Sequence, residues 1–142
     1  MIRTWFPYAV GAAILYGLHQ IFTKLAADRI SDGLGSLVVE SSAAITILLY
    51  LGSLSLLGGM NQSASAPGVW YCVITGICVG AGTVLFFLLF QKGGPLSVVP
   101  AILACGAALM AIAGILFFKE PASLPRILGI VLAIAGLLLL RI

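Results

Sequence analysis

The chain has 142 residues, 62% of them hydrophobic and 8% charged, with a formal net charge of +3 and a mean hydropathy of +1.24. That balance excludes a water-soluble globular domain, which needs far more polar surface to cover its core. The basic excess does not mark a nucleic-acid binder, because the few Lys and Arg residues fall at the ends of apolar runs, where snorkelling and membrane orientation account for them.

Five apolar runs can be read, at about 5–27, 34–57, 68–90, 95–118 and 123–141. Each is near the roughly 20 residues that a helix needs to cross a hydrocarbon core. The gaps carry breakers or charge: "DRISDG", "GGMNQSASAPG", "QKGG" and "KEPASLPR". None of the runs alternates apolar with polar residues, which argues against a β-barrel. Lipid offers no partners for a spanning backbone, so the runs are expected to be helices. The fold class is therefore all-α and integral to the membrane, one domain over 1–142. The first run is too long for a signal peptide, and "LAADRIS" is a poor cleavage site.

The first run opens with Trp5, Phe6 and Tyr8, suited to the headgroup layer. Its second half reads "YGLHQIFTK", which puts Tyr16, His19, Gln20, Thr23 and Lys24 on one polar stripe. The second run carries Ser36 and Glu40 on one face. Counted from the run ends, His19 and Glu40 lie roughly 9–12 Å deep. The short link between the runs makes them antiparallel neighbours, so a His19–Glu40 pair, direct or through water, is allowed. Ionisable groups at that depth are costly unless they face a cavity or each other. One reading is a substrate and proton site formed by His19, Glu40, Gln20, Tyr16 and Ser36. The other is structural: Glu40 meets snorkelling Lys24 or Arg29, and His19 ties two helices together.

The third run opens with Trp70 and Tyr71 and holds Gly76 and Gly80 four residues apart. The fourth contains Pro100, expected to clash with the carbonyl of Leu96 and kink or loosen a turn in the same layer as His19 and Glu40, where it either adds freed carbonyls to the same substrate site or merely shapes the helix. Small residues follow at Ala104, Ala107, Ala111 and Gly114, and in the fifth run at Gly129, Ala133 and Gly136. Such stripes let backbones approach closely, within a bundle or between subunits. Cys72, Cys78 and Cys105 fall inside the runs and read as small hydrophobes. There is no phosphate loop, HExxH, paired-Cys motif or Ser–His–Asp set, so no catalytic residue, metal or cofactor is expected, and the chain is not read as an enzyme.

Five spans put the termini on opposite sides. The N-terminal side receives Arg3, Lys119 and Arg126; the other receives Lys24, Arg29, Lys92 and Arg141. Lys/Arg asymmetry sets orientation, and here it is nearly absent. Either one loop dominates, or the chain inserts both ways and pairs as an antiparallel homodimer.

The first run, "AAILYGLHQIFTKLAA", resembles the first helix of EamA domains in the drug/metabolite transporter superfamily. There an aromatic–Gly pair precedes a polar residue and then a Lys, the places held here by Tyr16–Gly17, His19 and Lys24. The segment from Pro95 onward is similar to the EamA ending: a helical Pro, an apolar helix, the Lys119–Glu120 turn, and a closing helix with Gly129 and Gly136. The resemblance covers nearly the whole chain. It implies one five-helix repeat of a fold whose fused members hold two inverted copies, with the site near the midplane between them. An unfused repeat would need a second copy inserted upside down. The related small multidrug resistance proteins rely on a Glu in the first helix. Here that helix offers His19, and Glu40 is in the second, so quaternary-cation specificity is not carried over.

The resemblance thus implies a secondary transporter of small metabolites or amphipathic solutes. It would lie in the inner or plasma membrane and work by alternating access as an antiparallel homodimer; proton coupling through His19 or Glu40 belongs to the residue reading above. A scaffold subunit of fixed topology, or a flippase for lipids or lipid-linked sugars, are the alternatives.

Overall fold

The computed structural model describes residues 4, 6–59 and 62–139. Arg3 and Arg141 of the orientation argument, and the headgroup anchor Trp5, lie outside them. The described residues form five α-helices and no strand: α1 (Phe6–Ala27), α2 (Asp32–Leu56), α3 (Ala66–Gln91), α4 (Val99–Phe117) and α5 (Leu124–Leu139). The chain divides into two compact units, Met1–Gly94 with α1–α3 and Pro95–Ile142 with α4 and α5. Three helical stretches, Asp32–Leu56, Ala66–Gln91 and Leu96–Phe117, are long and apolar enough to cross a membrane.

Among the described residues, apolar side chains cover the outside and polar ones share the interior with Phe87 and Phe90. Large apolar side chains such as Leu48, Leu49, Ile74, Ile77, Leu109 and Met110 are exposed, while Gln20, Thr23, Ser36 and Thr83 are buried. A surface so apolar is compatible with lipid and not with water.

In the first unit the buried residues gather at one end. They are Gln20, Thr23 and Ala27 near the end of α1, Gly35 and Ser36 at the start of α2, and Thr83, Phe87 and Phe90 near the end of α3. The remaining half of α2, residues 41–50, is exposed throughout. The three helices are thus drawn together at one end only. Gly35 allows this closure, because a Cβ there would sit 2.5 Å from the Phe87 ring. The link between α1 and α2 is fastened to α3 by Gln91, whose Nε2 donates to the Ile30 carbonyl at 3.0 Å.

The helix ends follow local chemistry. Ser65 caps α3 by accepting from the Gly68 amide, with Pro67 in the first turn, where no backbone donor is needed. α3 ends at Gly93, whose φ of 83° allows its amide and that of Gly94 to return to the carbonyls of Phe90 and Leu89. In the second unit a single 3₁₀ turn, Leu96–Val98, precedes α4. Pro100 accordingly falls in the first turn of α4 rather than inside a longer helix. The missing N–H is harmless there, and the break expected around Leu96 takes the form of the 3₁₀ turn that precedes the α-helix.

Candidate functional site

The polar layer of the first unit is built by three helices. Along α2, Glu40 follows Ser36 by one turn and faces α3. Its Oε1 accepts a hydrogen bond of 2.6 Å from the Thr83 hydroxyl, a length typical of a hydroxyl donating to a carboxylate. The Thr83 Oγ1 also lies 3.0 Å from the Val79 carbonyl, one turn back. The other two buried hydroxyls are directed at their own helices: Thr23 donates to the His19 carbonyl at 2.8 Å, and Ser36 to the Asp32 carbonyl at 2.7 Å. Hydroxyls can satisfy themselves this way inside an apolar bundle.

On α1, Gln20 is 7% exposed and its Oε1 has no hydrogen-bond partner. The neighbouring His19 is half-buried, and its Nδ1 is likewise buried without a partner. One turn on, the Lys24 ammonium lies 5.4 Å from the centroid of the Phe90 ring and 3.5 Å from the Phe90 carbonyl oxygen. Among the described residues the one ion pair is Glu120–Arg126 in the second unit, so Glu40 has no basic side chain beside it.

Of the residues singled out in the sequence, the structure draws Gln20, Ser36 and Glu40 into this end of the first unit, with His19 at its margin. Glu40 is bonded to Thr83 and not to His19. Tyr16 is exposed. Pro100 is exposed in the second unit. Thr83 is the residue that sequence reasoning passed over. Its position offered a signal: it lies eight residues before the end of α3, as His19 does before the end of α1. Among the described residues, no group of three or more His, Cys, Asp or Glu side chains could hold a metal ion.

The second unit has its own polar corner. Lys119 ends α4 with a φ of 54°. The Glu120 amide returns to the Gly114 carbonyl at 3.1 Å, and the Arg126 Nη1 donates both to Glu120 Oε2 at 3.0 Å and to the Pro121 carbonyl at 3.1 Å. Glu120 and Arg126 lie at the mouth of a cleft of about 340 Å³ between α4 and α5, floored by Ala107, Ala111 and Gly129.

No solved structure matches the chain. It is 30% identical over 131 residues to an uncharacterized protein of Methanocaldococcus jannaschii, covering 92% of this chain and 90% of the relative. It is 26% identical over 145 residues to an uncharacterized transporter, in the cobO 3' region, of Sinorhizobium sp, covering 100% of this chain and 99% of the relative. The pattern of the EamA-like transporter family matches residues 3–142. With its apolar helices and the polar layer inside them, the chain belongs to the EamA-like transporter family and is a multi-pass membrane protein.

Proposed function

We propose that the chain is one half of a secondary transporter for small metabolites or amphipathic solutes, completed in the cell membrane by a second copy inserted upside down. The observation that carries this reading is the Glu40–Thr83 contact, found at the same end of the first unit as the buried Gln20 with its unpartnered Oε1. A carboxylate and an amide inside lipid-facing helices are costly, and they are retained where they handle a solute or ion.

In this reading α1 and α5 cross the bilayer together with the three longer apolar stretches. The first unit is drawn together at one end and exposed along the rest of its helices, and within that unit Glu40 is only half-buried. A second copy supplies the remaining wall of the polar layer, and rocking of the two copies alternates access to it. The nearly equal Lys/Arg counts on the two sides support insertion both ways. The two relatives are covered over 90% and 99% of their length, so the one-repeat length recurs among them. In this reading His19 or Glu40 exchanges a proton against the solute.

The test is reconstitution into liposomes loaded with a pH-sensitive dye. Members of the transported class are expected to dissipate an imposed pH gradient faster than in protein-free liposomes. A protein that carries no solute of any class across the membrane would overturn the reading and favour a scaffold subunit.

A further inference from the structure

The polar layer of the first unit has unused acceptors. Thr23 and Ser36 direct their hydroxyl protons to backbone carbonyls, and Thr83 directs its own to Glu40 or Val79. The Lys24 ammonium is held against the ring and carbonyl of Phe90. Left over are the Gln20 carbonyl oxygen and the His19 Nδ1, both buried and unpartnered, and a Glu40 carboxylate whose bonded neighbour is a neutral hydroxyl.

Gln20 and Glu40 lie in one layer. Lys24 reaches Phe90, which places Gln20, four residues earlier on α1, about 6 Å nearer the level of Thr83 and Glu40. With α1 and α2 antiparallel across a short link, Gln20 and Glu40 fall within about one helical turn of each other in depth. A carboxylate in such surroundings is stabilised by a cation, and a buried amide oxygen by an N–H or O–H donor.

We infer that the solute handled by this site carries a protonated amine with N–H donors, its charge against Glu40 and one N–H directed to Gln20. The inference rests on the transport reading above and narrows it to a substrate class. Thr83 is a positioning residue: it holds one carboxylate oxygen and turns the other toward the solute. A quaternary ammonium fits poorly, because it has the charge and lacks the donors, leaving Gln20 unsatisfied. A bare alkali cation satisfies the charge and makes no use of the rest of the amine.

The experiment compares binding and flux across matched probes, using the purified full chain in nanodiscs and proteoliposomes. Primary amines (ethanolamine, 1,4-diaminobutane, phenethylamine) are each set against N-trimethylated, hydroxyl and carboxyl counterparts, with sodium and potassium chloride as further arms. The best-bound amine is expected to bind at least tenfold more tightly than its three counterparts. Glu40→Gln is expected to remove that preference while the protein still elutes as a folded species. Thr83→Val should raise the apparent KM for the amine several-fold, and Thr83→Ser should restore it. Equal binding of amine and trimethylated forms, saturation by sodium or potassium alone, or amine flux undiminished in Glu40→Gln would overturn the inference. If neutral or anionic solutes are carried instead, the transport reading survives and the amine falls. If no solute of any class is carried, both fall.

Discussion

Phe87 lies across the α-carbon of Gly35, close enough that a methyl group on residue 35 would sit 2.5 Å from its Cε1 and 2.6 Å from its Cζ. Phe87 is fully buried, so the ring has no free space to swing into. Ile30 Cγ2, 3.0 Å from the same point, closes the other side. Gly35→Ala is therefore expected to push α2 and α3 apart, costing about 1–3 kcal/mol. Thermal unfolding in detergent micelles would register this as a lower Tm. Pairing Gly35→Ala with Phe87→Leu should recover part of the loss. An unchanged Tm in the single variant would mean that the helices do not meet as closely as described.

Lys119 occupies a left-handed backbone conformation, φ 54°, with no structural need for its side chain at that point. Glycine adopts this conformation without the steric cost of a Cβ. Lys119→Gly is expected to stabilise the second unit by about 0.5–1 kcal/mol. The same melting experiment would show a small rise in Tm. A fall would indicate that the Lys119 side chain has a role beyond the turn.

The Glu120–Arg126 pair is half-exposed, with side-chain exposures of 54% and 42%. Exposed pairs contribute up to about 1 kcal/mol. Arg126→Lys should therefore change Tm little, although Lys loses the double contact to Glu120 and Pro121 that one guanidinium nitrogen makes. A drop of more than several degrees would assign the corner a larger structural role than its exposure implies.

His19 is half-buried with an unpartnered Nδ1. If it exchanges protons, His19→Ala should lower pH-gradient-driven flux at least tenfold and leave the mass of the purified assembly unchanged. His19→Gln preserves hydrogen bonding without titration and should fail in the same way. Full driven flux in both variants would reduce His19 to a packing residue.

The sequence made the helices and their lipid surroundings legible because hydrophobic run length is a one-dimensional property. It also placed Gln20, Ser36 and Glu40 near one end by counting residues. Rotation about each helix axis is not a matter of counting, and there the reading diverged. Depth allowed Glu40 to meet His19, yet the rotation of α2 turns it to Thr83. Thr83 itself was inconspicuous because threonine can bond its own helix, as it also does here toward Val79. Tyr16 fell on the predicted polar stripe, but the buried face of α1 runs through Gln20, Thr23 and Ala27 and leaves it outside. Pro100 was expected to kink or loosen the turn at Leu96; a 3₁₀ turn occupies Leu96–Val98, and the α-helix starts after it with the proline in its first turn, a position that tolerates it.

The most direct measurement is the topology of both termini in intact cells, by fusing at each end a reporter whose signal depends on the membrane side. The account predicts that each terminus is found on both faces in comparable amounts, as an antiparallel pair requires. Finding each terminus on one face alone, with the purified protein still active as a same-way-up assembly, would contradict it.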